Sequence, residues 1–108
     1  MNNELAKQIV ATYQKHGWKL HCILAAAPAQ DELQEIAEAF PAIPVSQTEI
    51  DALWFARSSQ GGREAWELRL VAEQSYALFE AFEADEGEED REDARLEMEN
   101  KMREYARG

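Results

Sequence analysis

His21 and Cys22 stand side by side in WKLHCILA, and His16 lies five residues earlier. A thiol beside an imidazole suggests a nucleophile with its base, and three such side chains suggest a metal site. Neither chemistry has the spacing it needs. The segment alternates like a strand, and neighbouring strand residues point to opposite faces. Trp18, Leu20, Cys22 and Leu24 then share one face, with Lys19, His21 and Ile23 on the other. On that reading Cys22 is a buried, slow-reacting thiol. No CxxC, HxxxH or HExxH spacing is present, so no metal ligands are assigned. Ser58 and Ser59 lack a GxSxG elbow and are read as turn residues. No catalytic residue and no cofactor are assigned, and an enzyme is the less favoured reading.

Arg57, Arg63 and Arg69 are the only bases between residues 20 and 90. If Arg57 and Arg69 point from one sheet face, they could hold a carboxylate or phosphate, with Trp54 and Trp66 as the candidate aromatic residues of the site. This is the alternative function: a small-ligand or enzymatic domain with an aromatic pocket. The run DEGEEDREDAR lacks the alternating oxygen ligands and the glycine following them in a calcium loop, and reads first as a solvated helix entrance. Its other reading is an acidic inhibitor or nucleic-acid mimic that occupies a basic partner.

Net charge is −11 over 108 residues, with 11 bases against 22 acids. Residues 80–93 hold nine of the acids and one base, Arg91. Such a chain is repelled by nucleic acid and by anionic membranes. No apolar run approaches a membrane span, and the start MNNELAKQ lacks the basic region of a signal peptide. A lone cysteine agrees with a reducing compartment. The expectation is a single cytoplasmic domain over 1–108, with no nucleic-acid or membrane partner.

These residues must be positioned by a small set of elements. Leu5, Ile9 and Tyr13, flanked by Ala6 and Val10, mark a helix over 3–16 with Asn2 or Asn3 as cap and Gly17 beyond its end. A strand follows at 18–25. Pro28 to Phe40 reads as a second helix with the stripe Leu33, Ile36, Ala37, Phe40. FPAIPVSQ, with two prolines, reads as a stiff connector. Residues 50–57 and 65–71 alternate around SQGGR and form a hairpin, because Gly61 and Gly62 accept positive φ without steric cost. A phosphate loop would instead lead its glycines into a helix. Residues 76–83 fit a strand better than a helix. Residues 84–90 form an acidic linker into a helix over 88–107, with acids at its start and Lys101, Arg103 and Arg107 near its end, as the dipole favours.

The order α-β-α-β-β-β-α, with its hairpin, predicts an α+β fold. About four antiparallel strands would carry helices packed mainly on one face. Strand 50–57 is apolar on both sides, so one face needs further cover. The terminal stripe Ala94, Met98, Met102 and Tyr105 could lie on the sheet of its own chain, or on a second copy. Leu53, Phe55, Phe79, Met98, Met102 and Tyr105 are therefore the candidate association residues. The leading function is a non-enzymatic protein-association module, a possible homodimer.

Overall fold

The hairpin shows how local chemistry builds this sheet. In the computed structural model, which describes residues 1–26 and 29–108, β3 (Ala52–Ser58) and β4 (Glu64–Leu70) pair antiparallel with Trp54 opposite Leu68 and Arg57 opposite Ala65. The turn Gln60–Gly62 places Gly61 at φ 76° and Gly62 at φ 79°. Those angles crowd any residue with a Cβ. Ser59 N–H closes the turn on Arg63 O at 2.9 Å.

The remaining elements are α1 (Asn3–Lys15), β1 (Lys19–Ala25), α2 (Gln30–Ala39), β2 (Val45–Gln47), β5 (Ala77–Phe82) and α3 (Glu88–Ala106). Asn2 Oδ1 caps α1 by accepting from Leu5 N–H, and Gly17 follows its end at φ 83°. Residues 76–83 supply a strand rather than a helix. Pro28, expected to open α2, lies outside the described residues.

The class is α+β, but the sheet differs from expectation in two respects. It has five strands in the order β2-β1-β3-β4-β5, and it is mixed. β2 pairs parallel with β1, Ile23 opposite Val45, while the other neighbours pair antiparallel. The strand hides in the proline-marked connector because three residues are too few to show alternation. Pro44 stands at its threshold, where its carbonyl accepts from Ile23 N–H at 2.9 Å. A proline at a strand entry leaves the pairing that follows intact.

Helices also cover both faces, not one. α1 and α2 lie on the first face, where Ala6, Ile9, Val10, Ile36 and Phe40 pack with Ile23, Ala25, Leu53 and Phe55. α3 lies on the second, where Met98 and Met102 pack with Leu24, Trp54, Trp66, Leu68 and Phe82. Each fully buried large side chain of this kind contributes about 1.5–3 kcal/mol. The double-sided strand 52–58 is thereby explained within one chain: α3 supplies the second cover.

A bulge in β1 corrects the expected face assignment. Leu20 sits opposite Phe55 and Cys22 opposite Trp54, so His21 is one residue in excess. The alternation therefore resets. Trp18 and Leu20 pack on the α1 side, and Cys22 and Leu24 on the α3 side.

Candidate functional site

The four proposed ligand-binding residues are not brought together. Arg57 and Arg69 project from the first face, four positions apart in the pairing with Glu67 and Phe55 between them. Trp54 and Trp66 lie on the second face, buried under α3 with ring centroids 5.9 Å apart. The thickness of the sheet separates the arginines from the tryptophans. Each arginine already has a local role. Arg57 lies over the Trp18 ring at 4.7 Å and donates to His16 O at 3.1 Å. Arg69 donates to Leu70 O. Trp54 Nε1–H donates to Glu99 Oε2 at 3.0 Å, and Glu99 also pairs with Arg103. Arg95 lies over Trp66 at 4.7 Å.

The bulge places the His21 ring 4.6 Å from Trp66, on the side where Cys22 also packs. Neighbours in sequence thus share a face, contrary to simple alternation. They form no hydrogen bond. Burial, then the nearby charge of Glu99, pushes the Cys22 thiol up to about 11, with Arg95 opposing. A thiol held neutral is a poor nucleophile. Among the described residues, no group of three His, Cys, Asp or Glu is placed to hold a metal ion. No helix there is long and apolar enough to cross a membrane.

The candidate association residues also divide. Leu53, Phe55, Met98 and Met102 are buried within the chain, and Tyr105 stacks on Tyr76 at 3.6 Å. Phe79 alone of the six is exposed, at 56%. It sits where α1 and α2 do not reach. Their cover ends over β3, while β4 and β5 present Ala65, Glu67, Ala77, Phe79 and Ala81 on that face. Trp18 meets Phe79 edge-on at 6.3 Å and Tyr13 at 6.1 Å. Tyr13 stacks on Phe55 at 4.0 Å and donates to Glu67. Burial first, then that hydrogen bond, raises its hydroxyl well above the ordinary tyrosine range. An aromatic step thus descends from the core to the open half-face.

β5 is also an edge strand. Tyr76 O accepts from Leu70 N–H at 2.9 Å. Backbone groups alternate in direction along a strand. Tyr76, Leu78, Glu80 and Phe82 therefore turn toward β4, and Ala77, Phe79 and Ala81 turn their N–H and C=O outward. The row ends at Glu83, whose N–H donates to Glu86 Oε1 and whose carbonyl accepts from Arg91.

Arg91 also organises the acidic run. It donates to Glu86 O, pairs with Glu64 and lies over Phe82 at 5.7 Å. Arg63 holds Glu83, and Arg95 holds Glu88 at 2.6 Å. Arg91 thus fastens the start of α3 to the sheet end, Arg63 ties the hairpin turn to the residue after β5, and Arg95 pairs with Glu88 within α3.

One feature absent from the sequence-based candidates is a basic corner. Lys19, His21, Arg57 and Ser58 line a cleft of about 470 Å³ with Gly17, Leu20 and Ala56. The signal was present: KHGWKLH is basic, and residues 5–30 contain no acid. Compared with protein-family models, curated proteins and solved structures, the chain has no match in any of the three.

Proposed function

We propose that this chain is a non-enzymatic protein-association module that pairs edge to edge through β5, most simply with a second copy of itself. The observation that carries the reading is Phe79, exposed on a half-covered sheet face and set in an unpaired edge strand. An open edge is a template for another strand.

The residues favour one register. Outward backbone groups must meet outward groups, so odd-numbered residues pair with odd-numbered ones. A two-fold centred on Phe79 sets Phe79 against Phe79, Ala77 against Ala81, and Leu78 against Glu80. Centring on Glu80 would set two carboxylates directly opposite, which is unfavourable. The Phe79 register also brings the two Trp18 rings toward the paired phenylalanines. A C2 interface of this kind uses the same patch twice.

Sedimentation at several protein and salt concentrations tests the reading. A species of about twice the 12.3 kDa chain mass is expected. Salt should strengthen it or leave it unchanged, because screening relieves repulsion between two chains of charge −11. Ala77→Pro removes one outward N–H without touching the bonds to β4, and should weaken association while preserving the monomer fold. A monomer at every concentration up to the order of 100 μM would reject the homodimer, since that range reaches well beyond micromolar affinities.

A further inference from the structure

Side chains exposed on an edge strand are ordinarily polar, and lysine is favoured there. This chain is 31% charged, yet β5 presents Ala77, Phe79 and Ala81 on the open half of the first face, all exposed. Ala65 continues that surface on β4. Alanine is depleted in strands, so the choice runs against local propensity. Its result is a low floor around one exposed ring, Phe79, which Trp18 meets edge-on. Departures of this kind from a local rule concentrate at functional sites.

We infer that this half-face is a docking surface for an amphipathic α-helix of a partner protein, one that carries acidic residues toward both of its ends. The shape selects the element. Two neighbouring strands make a strip about 10 Å wide, the diameter of one helix. α1 and α2 cover β1, β2 and β3 on this face, and α3 covers β4 and β5 on the other, so the strip is a vacant helix position. The six residues of β5 extend about 20 Å, which a helix of about 13 residues matches. Phe79 is then the central apolar anchor, and the alanines let the helix approach closely.

The charges select the flanks. Arg57 and Arg69 both project from this face, four positions apart on neighbouring strands. That is about 13 Å along the strands, the span of about nine helix residues. Seven of the eleven bases pair with a carboxylate, and among the described residues Arg57 and Arg69 do not. Glu67, between them, already accepts from Tyr13. Each arginine gives an N–H to a backbone carbonyl, His16 O or Leu70 O, and keeps further donors for a carboxylate. The acids of α3 lie on the opposite side of the sheet. The net charge of −11 still repels an acidic partner at long range, so affinity rests on short contacts. This inference does not rest on edge pairing, which uses the outward backbone groups of β5 rather than side chains above the sheet.

The test is selection from a displayed library of helical peptides, each of about 18 residues or five turns, against the full chain. Apolar residues are fixed along one helical stripe, and the flanks are randomised among Glu, Lys and Gln. Selected peptides are synthesised and measured by fluorescence anisotropy and circular dichroism. Glu-rich flanks and a gain of helix on binding are expected. Phe79→Ala should weaken binding at least about tenfold, because it removes the anchor. Arg57→Gln and Arg69→Gln should each weaken it about two- to fivefold, the size of an exposed ion pair. Leu96→Ala, at an exposed apolar residue of α3, should leave it unchanged. Ala77→Pro should lose edge pairing and keep helix binding, which separates the two surfaces. Enrichment no greater than against Phe79→Ala, Lys-rich flanks, or binding without a gain of helix would overturn the site. A dimer that persists in Ala77→Pro and is lost in Phe79→Ala would overturn it too, by assigning the half-face to a second copy.

Discussion

The two faces of this sheet are built from the same strands and end in opposite conditions. On the α3 side, Trp54, Trp66, Leu68 and Phe82 are all buried. On the α1 side, burial stops at β3, and the next two strands carry alanines, Glu67, Arg69 and the exposed Phe79. Alternation alone does not distinguish them, since each strand offers apolar groups to both sides. The difference lies in the covering helices. α3 spans 19 residues and lies against β4 and β5, whereas α1 and α2 span 13 and 10 and pack over β1, β2 and β3. A polar helix can still close a face: α3 covers its side with Met98 and Met102 at the centre and arginine stems at the flanks.

The contrast is best broken at its strongest point. Trp54→Ala opens a cavity under α3 and deprives Glu99 of its indole donor. The expected loss is about 3–5 kcal/mol in urea unfolding. A loss near zero would mean that α3 does not seal this face.

Next in size is Arg91→Ala. This nearly buried guanidinium pairs with Glu64, holds two carbonyls and covers Phe82. Its removal should cost about 1–3 kcal/mol, chiefly through unpaired groups. Hydrogen exchange should quicken first at residues 83–91. Uniform loss across the sheet would show that the arginine does not specifically anchor the start of α3.

Phe79→Ala sharpens the other half of the comparison. Stability should change by less than about 1 kcal/mol, because little buried area is lost. Edge pairing should weaken at least tenfold by sedimentation. A large drop in monomer stability would place Phe79 in the core instead.

The smallest effect concerns pH. Folding raises the Cys22 thiol to about 11, so the folded state holds its proton more tightly than the unfolded chain does. Stability from this source is intact below the ordinary thiol range and is lost as pH rises from there toward about 11. Tyr13 shifts in the same direction. Cys22→Ala should flatten part of the alkaline decline, and native Cys22 should label slowly at neutral pH. Rapid labelling at neutral pH would mean that the α3 side is open beside β1.

Much of the secondary structure was legible because its causes are local. Asn2 and Gly17 bracket α1, Gly61 and Gly62 fix the hairpin, and the stripe Ala94, Met98, Met102, Tyr105 selects the inner side of α3. The candidate sites were less legible. The ligand residues were grouped by type, and the sheet divides them. The association residues were grouped by hydrophobicity, and only the arrangement of helices shows that Phe79 alone is exposed. The basic corner was readable as KHGWKLH, but its meaning depends on which bases find acids in space.

By itself the sequence determined the order of most elements, the hairpin, and the charge imbalance along the chain. These follow from backbone sterics, periodicity and side-chain chemistry over a few neighbouring residues. The tertiary structure decided the parallel strand β2, the bulge at His21 and the helix cover on both faces. Those depend on pairing and packing between segments far apart in the chain, where a three-residue strand is held by its neighbour and one extra residue reverses the faces that follow.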